Sequence, residues 1–198
     1  LHTYLKEIQQ QAFGPNQAFS VGEMPGIGLE MGKLITGEGR DELDLFFSFD
    51  HLENPGKTRF DPYLYDLNYL KSYLANWNKN LGNYCQMTLF YNNHDNPRFS
   101  SKVNPKPEFR EVLAKLLAGI QLTQKGTPFI FQGDELGLVN KEFHDISELK
   151  DIESLNLYEE LIQKMDKAQA FEQVLSGTRD HARTPMQWDD SLYGGFSS

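Results

Sequence analysis

Two stretches of this chain place carboxylates where an apolar run ends. Met87-Thr88-Leu89-Phe90-Tyr91 reads as a buried strand. It runs directly into Asn92-Asn93-His94-Asp95-Asn96-Pro97-Arg98, a polar turn carrying a carboxylate, an imidazole and a guanidinium. Earlier, Phe19-Ser20-Val21-Gly22 runs into Glu23, after which Met24-Pro25-Gly26 breaks the chain. A side chain at a strand end is held by a rigid element yet open to a ligand. Two carboxylates delivered in this way suit acid/base work on a polar, uncharged substrate. A carboxyl held partly out of water at Glu23 could donate a proton to a leaving group; the alternative reading of this position is a solvated loop glutamate. Asp95 is equally read as part of an Asx turn or a helix cap. Asp50-His51 and Asp134-Glu135 end two further apolar runs, and their plainer reading is structural hydrogen bonding at a sheet rim.

The elements that must hold these groups alternate between short apolar strands and longer helical stretches. Leu1, Leu5 and Ile8 are at helical spacing over residues 1–12. Strand candidates follow at residues 18–22, 43–49, 86–91 and 127–132. A Gly-rich loop is expected from the first strand through Gly39. Leu64, Leu67, Leu70, Leu74 and Trp77 predict a long amphipathic helix, and Phe109, Val112, Leu116 and Ile120 a second, stopped near Gly126. Residues 147–175 read as helical in part and 176–198 as loop. Alternation of this kind means βα units on a parallel sheet, with polar groups collected where strands end. Gly26-Ile27-Gly28 is too sparse for a dinucleotide fingerprint. A complete (β/α)8 barrel takes about 250 residues, so four such units make a partial one.

Composition narrows the partners. The formal net charge of −9 argues against a nucleic-acid backbone or an anionic membrane surface, both of which call for clustered Lys and Arg. No apolar run reaches the length of a membrane span. Cys85 is the one cysteine, so an internal disulfide is impossible; its expected role is that of a small buried hydrophobe, and the absent disulfides suggest a cytoplasmic location. The chain opens on Leu1 within a helical pattern, as an excised or processed piece would.

With these residues in view, the chain resembles the family 13 glycoside hydrolases, the α-amylase superfamily. The resemblance is strongest to the oligo-1,6-glucosidase and α-glucosidase subgroup, with the dextran glucosidases nearby. Four motifs match in order. Val21-Gly22-Glu23-Met24-Pro25-Gly26 resembles the end of barrel strand five, whose Glu is the general acid/base. Asn93-His94-Asp95 resembles the segment after strand seven, whose Asp stabilises the transition state and whose His contacts the sugar. Residues 126–137 resemble strand eight and its loop, and Leu43 to Glu53 fits strand six. Ala182-Arg183-Thr184-Pro185-Met186-Gln187-Trp188-Asp189 resembles a subgroup hallmark whose Arg lines the glucosyl pocket.

The resemblance implies strands five to eight of a TIM barrel, with residues 1–198 forming the C-terminal half of the catalytic domain. It implies a retaining α-glucosidase that takes glucose from the non-reducing end of α-linked gluco-oligosaccharides, α-1,6 isomalto-oligosaccharides above all. Glu23 and Asp95 would be catalytic; His94, Arg183 and, more loosely, Lys57 would bind substrate; no metal or other cofactor is expected. Lys57 is otherwise a solvated loop lysine. Tyr91, Phe99 and Trp188 are candidates for stacking on sugar rings or for core packing. Met24 departs from the aromatic residue of some dextran-specific relatives.

The family's nucleophile, an Asp after strand four in a Gly-x-Arg-x-Asp setting, has no counterpart here. Retaining glycosidases need two carboxyl groups about 5–5.5 Å apart, so the 198 residues alone are expected to be inactive. The inserted domain and the C-terminal β-domain are likewise expected to lie elsewhere. A non-catalytic relative serving as an interaction or sugar-binding module, as among amino-acid transporter heavy chains, is the alternative, and an excised scaffold is a third reading. The open barrel edges would favour self-association.

Overall fold

The computed structural model describes residues 1–82 and 85–197; Asn83, Tyr84 and Ser198, which the expected domain 1–198 includes, lie outside the described residues. In chain order the main elements are α1 (His2–Ile8), β1 (Val21–Glu23), α2 (Leu29–Thr36), β2 (Leu45–Phe47), α3 (Leu67–Asn80), β3 (Thr88–Leu89), α4 (Phe99–Val103), α5 (Arg110–Thr123), β4 (Thr127–Pro128), α6 (Ile152–Leu161) and α7 (Lys167–Leu175). The chain forms two compact units. The first comprises residues 1–53, 67–89 and 121–129; the second comprises 54–66, 90–120 and 130–198.

The first unit carries the four strands found among the described residues. β1 pairs in parallel with β2, Gly22 opposite Phe46, and β3 pairs in parallel with β4, Thr88 opposite Thr127. Between the two pairs, the Thr88 hydroxyl donates to the Phe46 carbonyl at 2.9 Å. The Gln121 amide donates to the carbonyls of Leu89 and Phe129, both at 2.8 Å, so one buried side chain satisfies two strand-end acceptors. Phe46 packs against Trp77 of α3 with ring centroids 5.8 Å apart, and Ile35, Leu45, Leu70 and Leu74 are buried with them. α2 lies close on β2, because a Cβ at Gly32 would sit 2.4 Å from the Phe46 ring.

In the second unit α6 and α7 enclose Phe143, Leu149, Tyr158, Leu161, Ala170 and Val174. Asp166 caps α7 by accepting from the Ala168 and Gln169 N–H groups at 3.0 Å. Tyr91 stacks on Phe99 at 5.3 Å, and Tyr65 meets Phe99 edge-on at 4.7 Å. Among the described residues no helix is long and apolar enough to cross a membrane.

Four sequence expectations are corrected. Residues 29–36 form α2 inside the stretch expected to be loop; its single interior glycine is the one that admits Phe46. The helix expected from Leu64 begins at Leu67, and Leu64 is exposed in the preceding extended segment. On α5 the expected apolar face points the wrong way. Leu113, Leu117 and Gln121 are buried, whereas Val112 is 60% and Leu116 48% exposed. A helix with apolar residues on two faces cannot be phased by periodicity alone. The strand ladders are also shorter than the apolar runs that contain them; of residues 86–91 only Thr88 and Leu89 pair.

Candidate active site

The turn after β3 is built by its asparagines. Asn92 donates to Asp134 Oδ1 at 2.8 Å and accepts from the Phe99 N–H at 2.8 Å, pinning both ends of the turn. Asn93 Oδ1 accepts from the Asp95 N–H at 2.9 Å, so the Asx turn here belongs to Asn93 and leaves the Asp95 side chain available. Arg98 closes the turn from beneath. Its side chain is fully buried, it donates to the Gln132 carbonyl at 2.9 Å and it lies 3.7 Å from Asp134. Burial pulls the Arg98 guanidinium below its ordinary range, against the opposing charges of Asp134 and Glu135. Burial likewise pushes the Asp134 carboxyl up, against hydrogen bonds from Phe131 and Asn92. Asp134 and Arg98 are thus framework, as the plainer reading of that strand end anticipated. At the other strand end burial pushes Asp50 up, with a Ser48 hydrogen bond opposing.

Asp95 stands among cations. Its Oδ1 accepts from Arg183 Nη2 at 2.9 Å and lies 3.5 Å from Arg179 Nη1. His94 Nε2 is 3.3 Å from its Oδ2. Arg183 also donates through Nε to the His94 carbonyl at 2.9 Å, so one guanidinium holds both residues of the His-Asp pair. Arg59 Nη1 donates to the Asp95 carbonyl at 2.5 Å and pairs with Glu153.

Arg179 is anchored in turn by Asp151, whose side chain is fully buried. Nε and Nη2 reach Asp151 Oδ1 at 2.9 and 2.6 Å, and the Ser154 hydroxyl donates to Oδ2 at 2.7 Å. Burial by itself would raise the Asp151 carboxyl. The Arg179 and Ser154 hydrogen bonds and the Arg179 charge outweigh it and hold the group below the usual carboxylate range. Asp151 in turn raises the Arg179 guanidinium.

The structure therefore brings together three of the expected site residues, His94, Asp95 and Arg183, in the second unit. Lys57 is also in that unit, but its ammonium lies over the Tyr63 ring at 5.8 Å and makes no polar contact with the Asp95 cluster. Glu23 ends β1 in the first unit and is solvent-exposed, the second of the two readings that its position offered. Tyr91 and Phe99 are core residues, whereas Trp188 is 71% exposed. Arg179, Arg59 and Asp151 escaped the sequence reading. For Arg179 a signal was present: it precedes Arg183 by four residues, the spacing at which two side chains on one turn reach a common partner. Among the described residues no group of three or more His, Cys, Asp or Glu is placed to hold a metal ion.

A family model for the alpha-amylase catalytic domain matches residues 1–198. The chain belongs to that family. Its parallel βα units are part of the family's (β/α)8 barrel. An oligo-1,6-glucosidase of Halalkalibacterium halodurans is 40% identical over 200 residues, covering 100% of this chain and 36% of that protein. Among solved structures, the trehalose-6-phosphate hydrolase TreA of Bacillus licheniformis superposes with a TM-score of 0.88 at 34% identity, over 98% of this chain and 36% of TreA. A MutB variant solved in complex with glucose gives 0.87 at 36% identity, over 98% of this chain and 36% of its own. The chain thus spans about a third of the length of the relatives it matches.

Proposed function

We propose that residues 1–198 supply strands five to eight of the catalytic barrel of a retaining α-glucosidase. Its substrates are α-linked gluco-oligosaccharides, α-1,6 linkages first, attacked from the non-reducing end. The observation that carries this reading is the Asp95 cluster: one carboxylate on a strand-end turn, accepting from Arg183 and flanked by Arg179 and His94. Such a group suits a substrate that is uncharged at rest and becomes positive as the bond breaks. The likeness to an oligo-1,6-glucosidase over the whole of this chain supports the same substrate class.

In this mechanism Glu23 gives its proton to the glycosidic oxygen as the bond from that oxygen to the anomeric carbon breaks. The attacking carboxylate comes from polypeptide outside these 198 residues and forms the glycosyl ester. Glu23, now ionised, takes a proton from water, whose oxygen attacks the anomeric carbon and releases the carboxylate. Asp95 accepts from sugar hydroxyls and stabilises the oxocarbenium-like transition state, while His94 and Arg183 orient the ring.

The full-length enzyme should turn over isomaltose and p-nitrophenyl α-glucoside. Glu23→Gln should remove about 10²–10⁴-fold of that activity, the usual worth of a general acid. The 198-residue chain alone should show no turnover; clear hydrolysis by it would refute the assignment of the nucleophile to other polypeptide. The exposed apolar residues Leu1, Tyr4, Val112 and Leu116 support self-association of the isolated chain.

A further inference from the structure

We propose that Arg98 is a positioning residue of the candidate site: its buried guanidinium registers the His94-Asp95 turn against the chain segment that presents Arg183. The geometric part of this inference needs no reaction; its catalytic consequence rests on the glucosidase reading above.

Arg98 reaches stretches of chain that are far apart in sequence. It ends the turn that carries His94 and Asp95, and its own N–H donates to Asn140 Oδ1 at 2.8 Å. Nη1 donates to the Gln132 carbonyl at 2.9 Å, 34 residues away. Nη2 donates to the Ala182 carbonyl at 3.5 Å, 84 residues away and one residue before Arg183. Arg183 closes the circuit, with Nε on the His94 carbonyl and Nη2 on Asp95 Oδ1, both at 2.9 Å. The turn and the Arg183 segment are thus tied twice, once by Arg98 at the backbone and once by Arg183 at the site. Arg98 and Ala182 are fully buried, so their tie is shielded from water and salt, whereas the Arg183 side chain is 40% exposed.

The surroundings make room for the fork. Gly133 has a φ of +94°, and a Cβ there would lie 3.1 Å from Arg98 Nη2. The guanidinium also lies over the Phe131 ring at 5.1 Å. Stability alone does not account for a guanidinium in this place. Its carboxylate partner Asp134 is 3.7 Å away, too far for a hydrogen bond. Nε is buried and has no acceptor among the described residues. A buried charge with an unmade hydrogen bond is costly, and replacing a buried ion pair by apolar side chains is often neutral. What an apolar side chain cannot do is fix two carbonyls from separate segments in the directions of one rigid, planar fork.

The test replaces Arg98 in the full-length protein by Met, which removes the donors, and by Lys, which keeps the charge without the fork. In crystal structures of both variants the Arg183 Nη2 contact with Asp95 Oδ1, 2.9 Å here, should open beyond hydrogen-bond reach. In both, kcat/KM for isomaltose should fall about 10²-fold, the order that a misplacement of about 1 Å costs. Arg183→Lys supplies the readout that a merely structural role would not move. Added to Arg98→Met it should cost far less than it does alone, because both act through one contact. A retained contact in the folded variants, an unchanged kcat/KM, or losses that simply multiply overturns the proposal. So does loss of the folded state in both variants by urea unfolding, which would assign Arg98 to folding alone. If the unmodified protein hydrolyses nothing and the contact still opens in the variants, the positioning role stands and the glucosidase reading falls.

Discussion

Replacing Asp151 by Asn tests whether a buried carboxylate holds the arginine beside Asp95. Asp151 accepts from Arg179 Nε and Nη2 at 2.9 and 2.6 Å and from the Ser154 hydroxyl at 2.7 Å, with its side chain wholly out of water. The amide keeps the shape but removes the charge and turns one acceptor into a donor. That donor must face either a guanidinium or a hydroxyl already committed to donate. Removing one partner of a buried ion pair costs about 3–5 kcal/mol, mainly through the charge left behind. Here Arg179 keeps Glu153 at 3.4 Å and Asp95 at 3.5 Å, so the remaining guanidinium is partly compensated. The expected loss is therefore about 2–3 kcal/mol.

The sign of the pH dependence follows from the depressed carboxyl. Its folded pKa lies below the ordinary value of 3.8, so its contribution is present above that value and is lost as pH falls through the folded pKa. Urea unfolding near neutral pH should separate the unmodified protein from Asp151→Asn by the full amount. Below pH 3.8 the two curves should converge. A difference under about 0.5 kcal/mol near neutrality, or a gap that persists unchanged into acid, would show that Asp151 does not anchor Arg179 as an ion.

Two further outcomes are open to simple measurement. Gly126→Ala should destabilise by about 2 kcal/mol or more in chemical unfolding, because its φ of +148° is strained for any L side chain and the new Cβ would sit 2.5 Å from the Met87 carbonyl. The isolated 198-residue chain should scatter light as a dimer or larger and bind an apolar dye, since Val112 and Leu116 on α5, Tyr4 on α1 and Leu1 before it face water; a clean monomer without dye binding would refute that.

The parallel βα order was legible because strand-like runs end in polar, turn-forming residues, and that punctuation is local. The phase of α5 was not, because its second apolar stripe competes with Leu113 and Leu117, and only tertiary packing chooses between them. α2 was hidden by flanking glycines, which read as loop until Gly32 is seen to be the place where Phe46 enters. In the candidate site, Asp95, His94 and Arg183 were legible by motif, and their mutual hydrogen bonds follow in the structure. Asp151 was not, since an aspartate paired with an arginine 28 residues away leaves no periodic trace, and Arg179 was legible only through its four-residue spacing from Arg183. Lys57 was legible only as a loop cation, and loops place long side chains by contacts that sequence spacing does not encode.

The arrangement around Asp95 also explains why arginine, not lysine, stands at both 179 and 183. In the mechanism proposed above, the Asp95 carboxylate faces a developing positive charge, and the cations beside it are ones that cannot give up a proton, since a guanidinium stays charged. That mechanism also asks the carboxylate to stay reachable by substrate, so the cations cannot smother it. A planar fork divides its donors among partners. Arg183 spends one on the Asp95 carboxylate and another on the His94 carbonyl, and Arg179 gives its two short contacts to Asp151 while standing 3.5 Å from Asp95. A lysine at 183 could hold the carboxylate or the carbonyl, but its single flexible head would not fix both in one geometry. The two arginines thus set the charge around Asp95 while their remaining donors fix the backbone and the buried carboxylate that keep them there. In this way the field around Asp95 is built in before any ligand arrives.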